Sequence, residues 1–334
     1  MKIIITGSAG FIGFHASKLF LSKGFEVVGI DSLTRYYDVN LKKRRNEILK
    51  KFKSYSFYKI DICDDAKLKK VFKKEKPDVV IHLAAQAGVR YSIENPKSYV
   101  ESNFLGTFNI LEAIKENEIK HSLIASTSSV YGANEDMPFE EKDKADLQLS
   151  FYASTKKSCE VISHSYSHLY NLPITCFRFF TVYGPWGRPD MALFKFTKSI
   201  LEEKPIDVYN FGKMRRDFTY VDDLVESIFL LIDKIPCTNT PLSSKDSISS
   251  VAPWRLINIG NSKQEKLEDF IKEIETHLNK KAVKNLMEMQ PGDVPATFAD
   301  ISLLKEITGY IPDTTISKGI KLFLEWYKNF YEHK

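Results

Sequence analysis

The sequence lacks a long hydrophobic run, because no stretch approaches the roughly 18 apolar residues that a membrane-spanning helix needs. It also lacks the opening of a secretory signal. The first residues, MKIIITG, enter a strand-like pattern without a charged segment followed by an apolar one. We therefore expect no membrane partner and a location in the cytoplasm.

An excess of charge of one sign is missing too. The 48 lysines and arginines nearly balance the 43 aspartates and glutamates, which leaves a formal net charge of +5. This balance gives no reason to expect a nucleic-acid partner, whereas a mildly positive site for an anionic metabolite agrees with it. The densest basic run, KKRR at residues 42–45, is predicted to be the solvated face of a helix.

Closely spaced cysteines are also absent. Neither a C-x-x-C pair nor a Cys/His metal-binding spacing occurs, so we expect reduced thiols in a cytosolic protein and no metal site. The cysteines are Cys63, Cys159, Cys176 and Cys237.

Short apolar runs that alternate with amphipathic segments are what the sequence does have, in a chain of 334 residues. Uninterrupted apolar strands alternating with helices predict a parallel sheet covered on both faces, here a Rossmann-type, doubly wound α/β fold. The predicted strands are KIIIT (2–6), FEVVGI (25–30), SFYKI (56–60), DVVIHLAA (78–85), SLIAS (122–126), ITCFRF (174–179) and RLINIG (255–260).

The first predicted strand leads into a glycine-rich turn, GSAGFIG, with Gly7, Gly10 and Gly13. Glycine lets the turn tighten and lets backbone N–H groups approach a pyrophosphate at the start of a helix. The spacing is G-x-x-G-x-x-G rather than G-x-G-x-x-G, yet the turn lies between a strand and an amphipathic helix, as a dinucleotide site requires.

Asp31 ends the second predicted strand, 18 residues after Gly13. A carboxylate at about this distance accepts hydrogen bonds from the adenosine ribose of NAD and repels the 2′-phosphate of NADP, so NAD is the expected cofactor. Arg35 stands close by, and an arginine there could instead bind the 2′-phosphate of NADP. Asp61 ends the third strand, where it either meets the adenine or caps the following turn.

The regular alternation weakens after about residue 180, where glycine and proline interrupt it. We predict an NAD-binding Rossmann domain over residues 1–180, with segments near 217–260 returning to it. Residues 181–334 are predicted to form mainly a smaller α/β substrate-binding domain. This domain would cover the carboxyl edge of the sheet, where open α/β folds bind ligands.

Tyr152 and Lys156 are four residues apart in FYASTKKS. On a helix such residues project from one face, and a neighbouring ammonium favours the phenolate that serves as a general base. Thr127, within STSSVYG at the end of a predicted strand, offers a hydroxyl to the same place. We predict a catalytic triad of Thr127, Tyr152 and Lys156, in which Tyr152 and Lys156 also contact the cofactor.

Several motifs together resemble the extended short-chain dehydrogenases/reductases that act on nucleotide sugars, and the UDP-glucuronate 4-epimerases most of all. They extend from Met1 to about Asp300 and are ITGSAGFIG, RYYDVNLK, HLAAQAGV, STSSVYG, YASTK, RFFTVYGPWGRPDMA, RRDFTYVDD and QPGDVPATFAD. The resemblance implies a tightly bound NAD, a UDP-sugar substrate and a homodimer joined by a four-helix bundle from helices near 97–116 and 150–169. It implies cofactor contacts from Gly7, Gly10, Phe11, Ile12, Gly13, Asp31, Asp61, Ile62, Leu83, Ala84 and Ala85.

The residues after Thr127 discriminate between three reactions that share an oxidation at C4 of the sugar. Related dehydratases carry an Asp-Glu pair after the threonine, and related decarboxylases carry a Glu before VYG. This sequence has Ser128 and Ser129 there. Serine cannot supply the additional acid–base step, so the resemblance implies 4-epimerisation of UDP-glucuronate to UDP-galacturonate through a 4-keto intermediate.

The 4-keto form of a glucuronate is a β-keto acid, which loses CO2 when its carboxylate bond aligns with the ketone. Hydroxyls of Thr127, Ser128, Ser129 and Thr181, with charge-assisted hydrogen bonds from Arg188, are predicted to hold the carboxylate out of that alignment. Two alternatives stay open: the serines fill a tight strand end, and Arg188 is a surface residue of the GPWGRP turn.

The nucleotide end of the substrate is expected on the second half of the chain. The resemblance implies that Arg216 binds the diphosphate and Asp293 binds the ribose. Arg215 is a second contact or a solvated residue. Gln290 stands where related galactose epimerases have an arginine before Pro-Gly-Asp.

Four further residues are placed with less specific roles. Asn103 is a sugar or diphosphate contact or a helix cap, and Arg90, with Tyr91, faces the site. His82 belongs to the core or to the cofactor wall.

Two other functions compete with the first. One is a 4-epimerase of UDP-glucose or UDP-N-acetylglucosamine, and the other is a nucleotide-binding protein without catalysis. The intact Thr127, Tyr152 and Lys156 disfavour the second, because a binding protein does not need them.

Overall fold

The structure, a computed structural model, describes residues 1–331. The strands in this range are, in chain order, β1 (Lys2–Thr6), β2 (Glu26–Ile30), β3 (Tyr55–Tyr58), β4 (Val79–His82), β5 (His121–Thr127), β6 (Ile174–Phe179), β7 (Thr181–Tyr183), β8 (Ile206–Val208), β9 (Arg215–Tyr220), β10 (Trp254–Ile259), β11 (Gln264–Lys266) and β12 (Lys284–Leu286).

The α-helices are α1 (Phe11–Ser22), α2 (Val39–Leu49), α3 (Asp65–Glu75), α4 (Tyr91–Glu94), α5 (Pro96–Tyr99), α6 (Gly106–Lys115), α7 (Phe151–Tyr170), α8 (Ala192–Leu201), α9 (Val221–Leu231), α10 (Leu267–Leu278), α11 (Ser302–Thr308) and α12 (Ile316–Tyr331). A π-helical segment, Val100–Leu105, joins α5 to α6, and short 3₁₀ turns occupy Ser128–Tyr131 and Tyr209–Gly212.

The largest sheet has seven parallel strands in the order β10-β6-β5-β4-β1-β2-β3. The chain adds β2 and β3 on one side of β1 and then returns to add β4 on the other side. This reversal makes the sheet doubly wound, and its switch point lies between β1 and β4. The predicted Rossmann-type α/β fold is therefore confirmed.

Alternate residues of each strand face opposite layers of helices, because successive side chains point to opposite faces of a sheet. Ile3 and Ile5 belong to a core shared with α1, α9 and α11. Ile4 belongs to a core shared with α3 and α6. Burial on both faces explains why the strands are continuous apolar runs.

The predicted strand at residues 78–85 ends earlier than expected, at His82. The hydroxyl of Thr6 accepts hydrogen bonds from the amides of Leu83 and Ala84, at 3.2 and 3.1 Å. These bonds replace the continued strand pairing and turn the chain out of the sheet above β1.

Two small sheets, β11-β9-β7 and β12-β8, pack with α8, α10 and α12 around a separate apolar cluster beyond the carboxyl ends of the large sheet. Strand β10 belongs to the large sheet and helix α9 packs against it, and the assignment of the segment near 217–260 to the cofactor domain stays a prediction. Residues 299–308 also pack against the large-sheet core, a second return that the sequence pattern did not predict. The predicted boundary near residue 180 stays a prediction.

The basic run at residues 42–45 is only half solvated, so its prediction as a solvated helix face is wrong for two of its four residues. Lys43 and Arg44 are exposed, whereas Lys42 and Arg45 are buried. Residues three apart lie on one face of a helix, and this face of α2 turns inward beside the apolar Leu41 and Leu49.

Among the helices of residues 1–331, none combines the length and the apolar character needed to cross a bilayer. All four cysteines lie in this range and are unpaired.

Candidate active site

A cavity of about 1080 Å³ lies at the carboxyl ends of the large sheet, between it and the small sheets. Its walls come from both halves of the chain. Its volume is large enough for a dinucleotide and a second ligand. The predicted site residues that line it are Gly7, Gly10, Phe11, Ile12, Gly13, Asp31, Asp61, Ile62, Leu83, Ala84, Ala85, Arg90, Thr127, Ser128, Ser129, Tyr152, Lys156, Thr181, Arg188, Arg216 and Asp293.

The glycine-rich turn is closed so tightly that side chains are excluded from it. A Cβ atom on Gly13 would lie 2.0 Å from the carbonyl oxygen of Gly7, and Gly7 itself has a φ of +72°. Helix α1 begins directly after Gly10 without a side-chain cap, so the backbone N–H groups of its first turn remain free for an anion. The turn fits the pyrophosphate of a dinucleotide.

Asp31 lies at the carboxyl end of β2 beside this turn. Its carboxylate accepts hydrogen bonds from the amides of Ala9 (3.1 Å) and Leu33 (2.7 Å) and still has acceptor capacity for a ribose. Burial raises the pKa of Asp31. Arg35, the residue that the sequence interpretation considered for a 2′-phosphate, is exposed and does not line the cavity.

Lys42 lines the same end of the cavity and was missed by the sequence interpretation. Its ammonium donates to the carbonyl and the hydroxyl of Thr34, at 2.9 and 2.8 Å, and burial lowers its pKa. The sequence held one signal for its burial. Lys42 and Arg45 are three residues apart and so share one helix face, but four consecutive basic residues suggested that the whole run is solvated.

Asp61 accepts a hydrogen bond from the amide of Cys63 at 3.0 Å. The turn-capping alternative is therefore present in the structure. Asp61 also lines the cavity, so the contact with an adenine stays a prediction.

The three residues of the predicted triad line the cavity where β5 ends and α7 begins, and their catalytic role stays a prediction. Thr127 caps the 3₁₀ turn that follows it, because its hydroxyl accepts from the amide of Ser129 at 3.2 Å and donates to the hydroxyl of Ser129 at 3.3 Å. Tyr152 and Lys156 project from one face of α7, as their spacing predicts.

Several polar groups in this corner have no protein partner among residues 1–331. They are the side chains of Ser128, Tyr152, Lys156 and Thr181, and all of them line the cavity. Lys156 is 3% exposed. A buried ammonium without a carboxylate partner is costly unless a ligand supplies oxygen atoms, so this corner is built to receive one.

Arg188 also lines the cavity and is paired with Asp190. Its Nε donates to Oδ1 of Asp190 at 3.0 Å and its Nη2 donates to Oδ2. The hydroxyl of Tyr36 also donates to Asp190, at 3.2 Å. The guanidinium keeps further N–H groups for a ligand, and the Asp190 carboxylate raises its pKa further above an already high value.

Arg216 and Asp293 form an ion pair across the far end of the cavity, with Nη2 and Oδ1 at 3.5 Å. Burial lowers the pKa of Arg216. Arg215 is exposed, binds the side chain of Gln264 and does not line the cavity.

Arg90 lines the cavity, and its guanidinium lies 4.4 Å from the ring centre of Tyr209. Tyr209 is an aromatic wall residue that the sequence interpretation missed.

Asn103 does not reach the cavity, and its predicted role as a sugar or diphosphate contact is corrected. Its side chain is fully buried, accepts from the amide of Gln86 at 2.8 Å, and donates to the carbonyl of Gln86 and the hydroxyl of Thr155, each at 3.0 Å. These bonds satisfy the amide within the protein and do not cap a helix. They attach the 86–90 loop to α7.

His82 is a core residue rather than a wall of the cavity. Its two ring nitrogens bond the hydroxyls of Thr6 (2.7 Å) and Thr107 (3.0 Å), and burial lowers its pKa to about 3. Tyr91 lines the cavity and packs against Tyr36.

Comparison with protein families gives a match over residues 4–323 to the family described as GDP-mannose 4,6-dehydratase. UDP-glucuronate 4-epimerase 4 of Arabidopsis thaliana is 44% identical over 336 aligned residues, which cover 99% of this chain and 76% of the plant protein.

Two solved structures share the whole fold. UDP-glucuronic acid 4-epimerase from Bacillus cereus, in complex with UDP-glucuronic acid and NAD, has a TM-score of 0.89 and 34% identity, and covers 99% of this chain and 100% of its own. UDP-glucose 4-epimerase of Thermotoga maritima, with UDP-glucose, has a TM-score of 0.84 and 26% identity, and covers 99% of each chain.

Proposed function

The chain belongs to the family described as GDP-mannose 4,6-dehydratase, among the extended short-chain dehydrogenases/reductases, and we propose that it is an NAD-dependent 4-epimerase of a UDP-hexuronate. The reaction interconverts UDP-glucuronate and UDP-galacturonate through a 4-keto intermediate. The observation that carries the proposal is the corner where Thr127, Tyr152 and Lys156 meet a pair of serines and no carboxylate.

The cofactor is held by elements at the switch point of the sheet. The free amides at the start of α1 bind the pyrophosphate, and the carboxylate of Asp31 accepts from the adenosine ribose. The ammonium of Lys156 has no hydrogen-bond or salt-bridge partner among residues 1–331 and would donate to the nicotinamide ribose. When bound, NAD would supply reversible hydride acceptance at C4 of the sugar.

Tyr152 exchanges the proton of the C4 hydroxyl. Its phenolate accepts this proton as the C4–H bond breaks, and its phenol returns the proton to the oxygen when hydride is delivered to the other face of the ketone. The ammonium of Lys156, one helical turn along α7, stabilises the phenolate. When the sugar is bound, the Thr127 hydroxyl donates to the same oxygen in place of its hydrogen bond to Ser129. The hydride and the proton that leave the C4 carbinol are both returned to it, so the reaction needs no added oxidant or reductant.

The substrate carboxylate is held by hydroxyl groups and one arginine. Within residues 1–331 the hydroxyls of Ser128 and Thr181 have no hydrogen-bond partner and line the cavity. Thr127 and Ser129 line it as well, and Arg188 offers its remaining N–H groups. These donors keep the bond between C5 and the carboxylate away from the π system of the ketone and so suppress loss of CO2. At the other end, Arg216 binds the diphosphate and Asp293 accepts from the uridine ribose.

The test is an incubation of purified protein with UDP-glucuronate and no added reductant, followed by separation of the nucleotide sugars and a CO2 assay. We expect UDP-galacturonate without CO2, and no product from a Tyr152→Phe variant that retains its NAD. A UDP-pentose with CO2 would make the protein a decarboxylase. Turnover of UDP-glucose or UDP-N-acetylglucosamine instead would keep the epimerase and remove the carboxylate from its substrate.

We also propose that the protein is a homodimer. Phe104, Leu105 and Phe108 are exposed on the segment 100–115, and Val161 and Leu169 are exposed on α7 beside it. The rings of Phe108 and Tyr166 touch, so these residues belong to one continuous apolar face. Two copies of this face form the four-helix bundle that the sequence resemblance implies.

We also propose a cytoplasmic location, supported by the free thiols of Cys63, Cys159, Cys176 and Cys237. Fractionation of cells should release the epimerase activity together with a cytosolic marker, and activity confined to the periplasmic or membrane fraction would contradict the proposal.

A further inference from the structure

Three successive backbone carbonyls stand directly before Arg188, and each accepts a hydrogen bond from a side chain of the cofactor-binding half. Nε2 of His15, on α1, donates to the carbonyl of Pro185 at 2.9 Å. Nη2 of Arg45, on α2, donates to the carbonyls of Trp186 and Gly187 at 2.5 and 3.4 Å. The segment that carries Arg188 is thus attached to two helices that border the glycine-rich turn.

Arg45 is a fully buried cation with no carboxylate partner among residues 1–331. Its other hydrogen bonds go to neutral oxygens, the carbonyl of Ala9 at 3.0 Å and the hydroxyl of Tyr37 at 2.8 Å, and its Nε has no partner. Burying an unpaired charge is costly, and an uncharged donor could satisfy one carbonyl. A guanidinium is needed here because it reaches carbonyls of three separate residues from one position.

Trp186 has a φ of +59°, a left-handed conformation that a tryptophan adopts only when its surroundings hold it there. Its ring packs against Phe14 of α1 and Trp326 of α12, and its carbonyl oxygen accepts the short bond from Arg45. The strained residue is therefore fixed at both its ring and its backbone, two positions before Arg188.

His15 is a second fixed point. Its Nδ1 lies 3.0 Å from a carboxylate oxygen of Asp222, and its Nε2 faces the carbonyl of Pro185. Both partners are acceptors, so only the doubly protonated ring satisfies both bonds. The rings of Phe11 and Phe14 enclose it.

From this geometry we propose that His15 and Arg45 are positioning residues that lock the 185–187 backbone and thereby aim Arg188 at the substrate carboxylate. The inference rests on the proposed function. Because Arg45 also binds the carbonyl of Ala9, whose amide binds Asp31, the lock joins recognition of the sugar acid to the cofactor turn.

The test compares two ligands that differ only in the carboxylate, UDP-glucuronate and UDP-xylose. Calorimetry on NAD-loaded protein in a Tyr152→Phe background gives the ratio of their Kd values without turnover. We expect Arg45→Met and His15→Phe each to reduce the preference for UDP-glucuronate at least tenfold, with the Kd for UDP-xylose within threefold of its starting value. Arg44→Met is the matched control, because Arg44 is exposed and paired with Glu47 on the same helix.

A double variant separates positioning from a general loss of structure. Arg45→Met should add less than twofold to the loss that Arg188→Met already causes, because both remove the same contact. Full additivity, or an unchanged ligand ratio in both Arg45→Met and His15→Phe, would overturn the proposal. Arg45→Lys, which keeps the charge but not the forked geometry, serves if Arg45→Met does not fold.

Hydrogen exchange of the 184–192 peptide tests the lock without any substrate. We expect its amides to exchange at least tenfold faster in Arg45→Met than in Arg44→Met or the parent protein. Equal exchange rates would overturn the lock even if the protein binds another sugar. If the unsubstituted protein shows no preference for UDP-glucuronate over UDP-xylose, the proposed recognition of the carboxylate is wrong. The hydrogen-exchange result then decides by itself whether His15 and Arg45 fix the 185–187 backbone.

Discussion

At the residue scale, the pair that follows Thr127 distinguishes this site from those of related dehydratases and decarboxylases. Ser129 is hydrogen-bonded to Thr127. Ser128 lines the cavity, and its hydroxyl has no hydrogen-bond partner among residues 1–331. A carboxylate in either place would repel the acidic sugar and supply a proton-transfer group that epimerisation does not use.

Replacing Arg188 with alanine should weaken control of the substrate carboxylate. A hydrogen bond to a charged group contributes about 1.5–3 kcal/mol, so kcat/KM for UDP-glucuronate should fall roughly ten- to hundredfold. The released 4-keto sugar acid should also lose CO2, which a coupled CO2 assay detects.

Arg44→Ala is the control, since Arg44 is exposed and outside the cavity. Unchanged turnover and unchanged CO2 release in Arg188→Ala would exclude the contact between Arg188 and the substrate carboxylate. Arg188 would then be only a residue of the GPWGRP turn.

His121, at the start of β5, should make stability depend on pH. It is fully buried between the carbonyl of Ile232 and the hydroxyl of Thr175, and burial lowers its pKa from 6.5 to about 4. The unfolded chain therefore binds the proton more tightly. The contribution to stability is complete above pH 6.5 and is lost as the pH falls toward 4, by up to about 1.4 kcal/mol per pH unit.

Thermal melts of the parent protein and a His121→Gln variant isolate this effect, because the other titrating groups are common to both. The difference in Tm should be largest near pH 7 and should narrow steadily between pH 6.5 and 4.5. A difference that stays constant over this range would contradict the assignment.

At the scale of elements, the turn from β1 into α1 has almost no spare volume. A Cβ on Gly13 would collide with the backbone of Gly7 and Ser8. Gly13→Ala should therefore open the turn, displace the first amides of α1 and reduce the NAD that copurifies with the protein at least tenfold, as measured by release on denaturation.

Gly24→Ala is a useful comparison at the other end of α1. Its φ is +86°, but an added Cβ meets no atom within 4 Å. This variant should lose about 1 kcal/mol of stability through backbone strain and keep its NAD. Loss of NAD in both variants would show that the effect is not specific to the cofactor turn.

At the scale of the whole molecule, the apolar face on residues 100–115 and α7 should decide the oligomeric state. Phe104 is 43% exposed within it. Phe104→Glu places a charge at the centre of the proposed four-helix bundle and should shift the sedimentation coefficient from that of a dimer to that of a monomer.

Ile235→Glu is the matched control, because Ile235 is 45% exposed and follows α9, which packs on the other face of the large sheet from α6. It should leave the dimer intact. A parent protein that sediments as a monomer at micromolar concentration would contradict the proposed dimer outright.

The sequence by itself determined the doubly wound sheet and about a third of the residues that line the cavity. Uninterrupted apolar runs can be buried only on two faces, and parallel strands bring residues such as Gly7, Asp31 and Thr127 to one edge. The spacing of Tyr152 and Lys156 likewise places them together, since helical geometry is local.

Tertiary structure decided the residues whose neighbours are distant in sequence. Lys42 and Arg45 are buried because the 184–188 segment and the glycine-rich turn close over α2, which no local pattern announces. Asn103 is directed into the protein because Gln86 and Thr155 meet it there. Periodicity shows which face of a helix is polar, whereas the identity of the surface that covers this face depends on contacts between segments more than 100 residues apart.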